Sequence, residues 1–352
     1  MANMAQSIRM ALHYGEKNLG VKDIFGQDVG APLGGVFTAT QGLETTWNTP
    51  LDERGIVGAA MGIAMTGDVC VAEIQFCDYI FNTIDLLKIA GNTNWVTNGN
   101  VSLPLVLMTP VGAGIRGSVY HSHSFDAFAS RLPGWKVVMP SNPKDAYGLM
   151  LSAIKDPNPV MFLKPKALMR VRGEELIPGE PRDEKELKAM IDQPVGNAKG
   201  WKAKWPKIEE HTVEIGKGKI TRSGSAATVV TYGRHVLMCN QVADELKKEK
   251  NIDLEVIDLR SIYPYDWKMI KTSIKKTGRV LFVNEDTEVT NFAEHLSYRV
   301  TQELFYELMA RPKVLAGKNL PGIGLHANLE EASVPQSTDI KEEVTSLLQE
   351  IP

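Results

Sequence analysis

Cysteine is scarce in this sequence. Three cysteines occur among 352 residues, Cys70, Cys77 and Cys239, and no two of them form a Cys-x-x-Cys pair. An odd number of cysteines without paired spacing does not suit a disulfide framework. We therefore expect three buried free thiols in a protein of a reducing compartment.

Long hydrophobic runs and an excess of one charge are also missing. No apolar run approaches the ~20 residues that cross a bilayer, and the first residues lack the charged segment and apolar stretch of a secretion signal. The net charge of −3 and the pI near 6.2 provide no basic field for nucleic acid. We therefore expect a cytoplasmic protein that binds neither membranes nor nucleic acids.

The rest of the chain alternates between strand and helix patterns. With 43% hydrophobic residues it is long enough to form two domains. Strands and helices alternate over residues 20–165, which predicts an α/β fold with a doubly wound parallel sheet, and a smaller α/β unit begins near residue 226. Between them, Gly, Pro, Lys and Glu predict a linker with a charged, solvated insertion and a short helix at 183–191. The expected bounds are 1–172, 173–222 for the linker, and 223–352.

The most informative stretch covers residues 48–67. Glu53 follows a Pro-Leu turn, and small or apolar residues with glycines at helical spacing fill most of the following positions. This pattern predicts a helix that starts at Glu53 and is buried on nearly every side, so that the carboxyl group lies in a partly dry environment that favours the neutral acid. The pattern alone supports a capping role for Asp52 or Glu53 equally well.

Two further places suit contacts with a ligand. Gln75 and Tyr79 follow an apolar strand, and functional residues of parallel α/β sheets collect at the carboxyl ends of strands. Farther on, a glycine-rich loop leads to His121 and His123, whose spacing does not suit zinc and favours one imidazole as a proton donor or substrate contact. A core position for the Tyr79 ring and a surface position for the histidine remain open alternatives.

Four motifs together resemble those of a known family. They lie at residues 48–67, 72–81, 120–124 and 255–266, in the family's order. With these motifs the sequence resembles the beta subunit of the thiamine-diphosphate-dependent 2-oxo acid dehydrogenases. The Glu-Ile-Gln-Phe sequence at Glu73 is closer to the branched-chain enzymes than to the pyruvate enzymes. The resemblance implies a pyrimidine-binding domain followed by a transketolase-like carboxyl-terminal domain.

The resemblance also implies roles for single residues. Glu53 matches the glutamate that hydrogen-bonds the aminopyrimidine of thiamine diphosphate, and Tyr79 matches the aromatic residue that packs on that ring. His121 matches the histidine that binds the 2-oxo acid and its intermediates. We place Gln75 in the cofactor site as well, because of its position at the strand end.

Metal ions and partners are implied in the same way. In this family, Mg²⁺ and the diphosphate are held mainly by an alpha subunit, so we expect a heterotetramer of two alpha and two beta subunits. The loop at 153–158 resembles a potassium site of some relatives, with Asp156 and Asn158 as ligands. A lipoylated acyltransferase component is expected to accept the acyl group.

The expected reaction is the oxidative decarboxylation of a 2-oxo acid, with a branched-chain acid favoured. Other enzymes that use the same cofactor remain as alternatives: a pyruvate or acetoin dehydrogenase beta subunit, or a transketolase-like enzyme. A non-catalytic scaffold subunit is the alternative from a different class of protein.

Overall fold

The computed structural model describes residues 1–194, 196 and 200–351. The helices are α1 Met4–Asn18, α2 Glu53–Met65, α3 Ile84–Val96, α4 Asp126–Ser130, α5 Pro143–Lys155, α6 Glu184–Ile191, α7 His235–Lys250, α8 Trp267–Thr277, α9 Phe292–Leu304, α10 Ala327–Glu331 and α11 Ser337–Gln349. The strands are β1 Val21–Gly26, β2 Thr46–Asn48, β3 Val69–Glu73, β4 Leu105–Val111, β5 Lys136–Val138, β6 Val160–Pro165, β7 Lys219–Arg222, β8 Ala227–Thr231, β9 Leu254–Asp258, β10 Ser261–Tyr263, β11 Val280–Thr287 and β12 Lys313–Gly317.

The chain forms two compact units. The first contains Met1–Val111 and Arg131–Ile215, and the second contains Gly112–Ser130 and Gly216–Pro352. These units differ from the domain bounds expected from the sequence, because residues 112–130 belong to the second unit and residues 173–215 to the first. The reason is that both stretches pack on elements that are distant in the sequence.

The first unit is built on a parallel sheet. Its strands follow the order β5-β6-β4-β3-β1-β2, and their pairings are parallel. Helices α1 and α5 contact each other and contribute fully buried side chains such as Leu12 and Tyr147 to the core. Asn142 begins α5, since its side chain accepts a hydrogen bond from Asp145 N and Pro143 occupies the first turn. The predicted doubly wound α/β architecture is confirmed.

The second unit has a smaller sheet of the order β12-β11-β8-β9-β7. Its pairings are parallel except that β7 runs antiparallel to β9. The Asp266 carboxylate accepts from Met269 N at the start of helix α8. The helix ends at Thr277 and is capped by Gly278, whose φ of 66° suits glycine. Helix α9 begins after Asn291, whose side chain accepts from Ala293 N at 2.8 Å, and it ends at Leu304.

Residues expected to form a solvated linker pack against the first unit. Arg9 on α1 donates from Nη1 to Ile191 O at 2.6 Å and to Asp192 Oδ1 at 2.9 Å. The Trp205 ring stacks on His13 with 4.1 Å between ring centroids. The expectation of a solvated excursion is therefore wrong for this stretch, because its few apolar residues cover α1. The short helix was predicted correctly, whereas residues 195 and 197–199 of the predicted linker lie outside the described residues.

Two expectations about the whole chain can be compared with the structure. Cys70, Cys77 and Cys239 are all buried, and among the described residues none of them forms a disulfide bond, as predicted. In the part of the chain that the structure describes, no helix combines the length and apolar character needed to cross a bilayer.

Candidate functional site

Glu53 is the first residue of α2. The N-cap residue is Asp52, whose carbonyl oxygen accepts from Ile56 N at 2.9 Å; within the described residues its side chain makes no capping hydrogen bond. Glu53 therefore lies in the first turn of the helix, beside backbone N–H groups that have no partner within the helix. This position confirms the predicted start of the helix.

Within this chain the helix is buried on one side only, whereas the sequence pattern predicts burial on nearly every side. Its buried residues form one stripe, and the opposite face of small residues is open. A Cβ added to Gly62 would meet nothing within 4 Å, and Met65 is 52% exposed. Glu53 is half-buried as a result. A helix face that is buried within this chain and an apolar face that this chain leaves uncovered have the same sequence pattern.

Gln75 and Tyr79 follow β3, as expected. The Gln75 Nε2 donates to Gln27 O at 3.2 Å and to Asp28 Oδ2 at 3.0 Å, which orients the amide. Tyr79 is half-buried in the 3-10 segment Cys77–Thr83. Because α2 packs against this segment, Glu53 and Tyr79 lie on neighbouring elements of the first unit.

A buried ion pair supports the end of β3. Lys164 Nζ contacts Glu73 Oε2, and Glu73 Oε1 accepts from Val36 N at 3.0 Å. Neither charged side chain is exposed. The pair therefore links the end of β3 to β6 and to the backbone at Val36. The residues that lead to Tyr79 follow directly after this end of β3. Sequence reasoning missed it, although charges at the ends of two apolar strands were a usable signal.

His121 belongs to the second unit. It lies in the segment of residues 112–125, which we call the histidine loop. His121 is half-buried, whereas His123 is exposed. A cavity of about 200 Å³ adjoins the loop, and its lining includes His123, Asp286, Lys318 and Asn319. The structure thus places Glu53, Gln75 and Tyr79 in one unit and His121 in the other.

The histidine loop leads into a buried carboxyl cluster. Asp126 is fully buried, and burial together with the nearby Asp286 raises its pKa well above the ordinary value. Burial raises the pKa of Asp286 as well, although Ala127 N and Thr287 N donate to its carboxylate. Sequence reasoning missed this cluster, since Asp126 follows a polar loop and resembles an ordinary helix cap.

The predicted potassium ligands lie at the end of α5. Asp156 forms an ion pair with Lys136, and its Oδ1 accepts from Asn158 N at 3.0 Å. Within residues 1–194, 196 and 200–351, no group of three or more His, Cys, Asp or Glu side chains is arranged to hold a metal ion. A potassium site at Asp156 and Asn158 stays a prediction.

Known proteins resemble the chain in both units. Residues 8–172 match the transketolase pyrimidine binding domain, and residues 216–340 match the transketolase C-terminal domain. The 2-oxoisovalerate dehydrogenase subunit beta of Bacillus subtilis is 34% identical over 88% of this chain and 86% of its own length. The protein of that name from Pseudomonas aeruginosa is 36% identical over 85% of this chain and 82% of its own length.

Two further comparisons agree. The pyruvate dehydrogenase E1 component subunit beta of Acholeplasma laidlawii is 35% identical over 84% of this chain and 82% of its own length. A solved structure described as a split gene transketolase, an inactive beta4 tetramer, superposes with a TM-score of 0.71 at 16% identity over 99% of this chain and 98% of its own. That likeness shows the fold alone. The sequence matches show that this chain belongs to the family of 2-oxo acid dehydrogenase beta subunits.

Proposed function

We propose that this chain is the beta subunit of an enzyme that oxidatively decarboxylates a 2-oxo acid and transfers the acyl group to a lipoyl group. The observation that carries the proposal is the position of Glu53 in the first turn of α2, beside the segment that holds Tyr79. A half-buried carboxyl group and an aromatic side chain on neighbouring elements suit a flat heteroaromatic ring that carries an amino group.

The residues of the first unit fit the aminopyrimidine side of thiamine diphosphate. When bound, this cofactor supplies the nucleophilic carbon that attacks a 2-oxo acid. The Glu53 carboxyl group hydrogen-bonds the aminopyrimidine and holds the proton that this ring exchanges. Tyr79 packs against the ring, and the fixed Gln75 amide lines the same site.

His121 is the proposed contact for the 2-oxo acid and its acyl product. An imidazole accepts or donates a hydrogen bond near neutral pH, which suits a carboxylate substrate and the proton transfers of acyl transfer. The half-buried position of His121 leaves part of the ring accessible. His123 is exposed and receives no role in the reaction.

Partner subunits complete the proposed enzyme. We propose that an alpha subunit holds Mg²⁺ and the diphosphate, in a heterotetramer of two alpha and two beta subunits, and that a lipoylated acyltransferase takes the acyl group. The open face of α2, which carries Gly58 and Gly62, suits close packing by another helix. Potassium at Asp156 and Asn158 and a cytoplasmic location remain further parts of the proposal.

A branched-chain 2-oxo acid is the favoured substrate, because the relatives at 34% and 36% identity are named for 2-oxoisovalerate. Pyruvate is the second candidate, favoured by the relative at 35% identity that is named for pyruvate. Rates of lipoamide reduction with each acid would decide between them.

The test of the proposed function is a Glu53→Gln variant, co-expressed with an alpha subunit and assayed for lipoamide reduction. We expect the variant to assemble normally and to lose activity, because the amide cannot supply the acid proton. Glu186→Gln is the matched control, since Glu186 is an exposed acid in the first turn of α6. Full activity of Glu53→Gln would instead support the scaffold alternative.

A further inference from the structure

One carboxylate of the second unit holds the start of the histidine loop. Glu330 lies in α10, and its Oε2 accepts from Gly114 N at 3.1 Å and from Arg116 N at 2.7 Å. A single side chain, more than 200 residues away in the sequence, therefore fixes two backbone groups of this loop.

The backbone at this point adopts a conformation that is rare for its residue types. Arg116 has a φ of 56° and Ser118 a φ of 55°, in the left-handed region that disfavours residues other than glycine. Such conformations persist where surrounding contacts hold them. The bond to Glu330 is made by the N–H group of Arg116 itself, so its loss removes a contact that holds this conformation.

Gly117 carries any shift of Arg116 directly to His121. A Cβ added to Gly117 would lie 2.3 Å from the His121 carbonyl oxygen and 2.6 Å from the His121 Cβ. The two residues are thus packed closely, so a movement of Gly117 towards His121 displaces the histidine.

The far side of His121 is held as well. Ser118 forms an antiparallel bridge with Ile323, and Ile323 N donates to the Ser122 hydroxyl at 3.0 Å. His121 therefore lies between two points where the loop is attached to the segment that precedes α10. Both points belong to the second unit.

We propose that Glu330 is a positioning residue for His121. The carboxylate fixes the backbone at Gly114 and Arg116, and Gly117 transmits this position to the histidine. The inference rests on the proposed function of His121 as the contact for the 2-oxo acid and its acyl product. Glu330 itself contacts the loop backbone and takes no part in the chemistry.

The test uses variants of the assembled alpha-beta enzyme. Glu330→Ala removes the acceptor, Glu330→Gln retains an oxygen that can accept both N–H groups, and the exposed neighbour Glu331→Ala is the matched control. Gly117→Ala provides a second route to the same displacement with Glu330 intact. The measurements are amide hydrogen exchange of residues 112–124, thiamine diphosphate affinity, and the rate of lipoamide acylation.

We expect Glu330→Ala to speed exchange at Gly114 and Arg116 and to slow lipoamide acylation by up to about a hundredfold, because a misplacement of about 1 Å can cost this much. Glu330→Gln and Glu331→Ala should stay close to the parent. Cofactor affinity should stay unchanged in all of these variants. In a His121→Ala background, Glu330→Ala should cause no further loss, since its effect acts through His121.

The proposal would be overturned if amide hydrogen exchange at Gly114 and Arg116 were the same in Glu330→Ala as in the parent. It would also be overturned if Glu330→Ala slowed acylation further in the His121→Ala background. The effect of His121→Ala tests the role of His121 itself. If His121→Ala left both acylation and the KM for the 2-oxo acid unchanged, the positioning role would fall with it. The proposed function would then still be judged separately, by the loss of activity in Glu53→Gln.

Discussion

Lys164 and Glu73 form an ion pair in which neither side chain is exposed to solvent. The pair connects two strands of the first sheet that are separated by β4. A second oxygen of Glu73 accepts from Val36 N, so the carboxylate is paired and hydrogen-bonded. Burial of two charges is tolerated in a protein only with such compensation.

Removal of one partner should therefore be costly. We expect Lys164→Met to lower the free energy of unfolding by about 3–5 kcal/mol, because it leaves Glu73 buried without its cation. The double variant Glu73→Gln/Lys164→Met should lose less than Lys164→Met alone. Urea unfolding of the three proteins measures these differences.

The control for this prediction is an exposed pair in the same unit. Lys155 and Glu210 form an ion pair with both side chains more than 40% exposed. Lys155→Met should change stability far less than Lys164→Met, since solvent screens the exposed pair. Equal effects of the two substitutions would contradict a special role of burial.

Asp126 should make stability depend on pH. The pKa of Asp126 is raised in the folded state, mainly by burial and also by the nearby Asp286. The contribution of Asp126 to the stability of the folded state is therefore fully present below the ordinary pKa of 3.8 and is lost as pH rises through the pKa of the folded state. In Asp126→Asn the side chain cannot ionise, so stability is not lost in this way as pH rises. We expect the Tm of the variant to exceed that of the parent by an amount that grows as pH rises from 5 to 8, at about 2–4 °C per kcal/mol.

The measurement is a pair of thermal unfolding series across this pH range. Groups that face Asp126 also enter the profile: Asp286 and Glu285 on β11, Tyr232 after β8, and His123 through its effect on Asp286. Glu331→Gln controls for the loss of an exposed acid. A Tm difference that is constant or shrinks towards pH 8 would show that Asp126 does not hold a proton in the folded state.

The cysteine thiols should not react with alkylating reagents in the native protein. All three are buried, and burial raises the pKa of Cys70 to about 12 and that of Cys239 well above its ordinary value. Because the thiolate is the reactive form, we expect no alkylation at pH 8 in native conditions and three modified residues in denaturant. Mass spectrometry counts the adducts, and rapid labelling of the native chain would be incompatible with this burial.

Much of the fold could be predicted from the sequence for local reasons. Apolar runs such as those that form β4 and β6 allowed the alternation of strands and helices over residues 20–165 to be predicted. Glu53 was placed at the start of α2 because it follows a Pro-Leu turn and precedes small and apolar residues. These signals depend on neighbouring residues and on the periods of helices and strands.

Relationships between distant residues could not be predicted. The alternation of strands and helices gave no sign that the histidine loop packs on the second unit, because nothing in residues 112–125 specifies which core they join. The pairing of Glu330 with Gly114 and Arg116 is invisible in the sequence for the same reason. The small residues on the open face of α2 suggested burial within this chain. A face that another chain covers has the same apolar pattern, so the sequence does not distinguish the two.

The central claim is that this chain supplies the aminopyrimidine side of a cofactor site that an alpha subunit completes. Calorimetry of thiamine diphosphate with Mg²⁺, on this chain alone and on the co-expressed alpha-beta assembly, tests it most directly. We predict measurable binding only in the assembly, and weaker binding there after Glu53→Gln. Tight binding by this chain alone would reveal a complete site within it and would contradict the division of the cofactor site between two subunits.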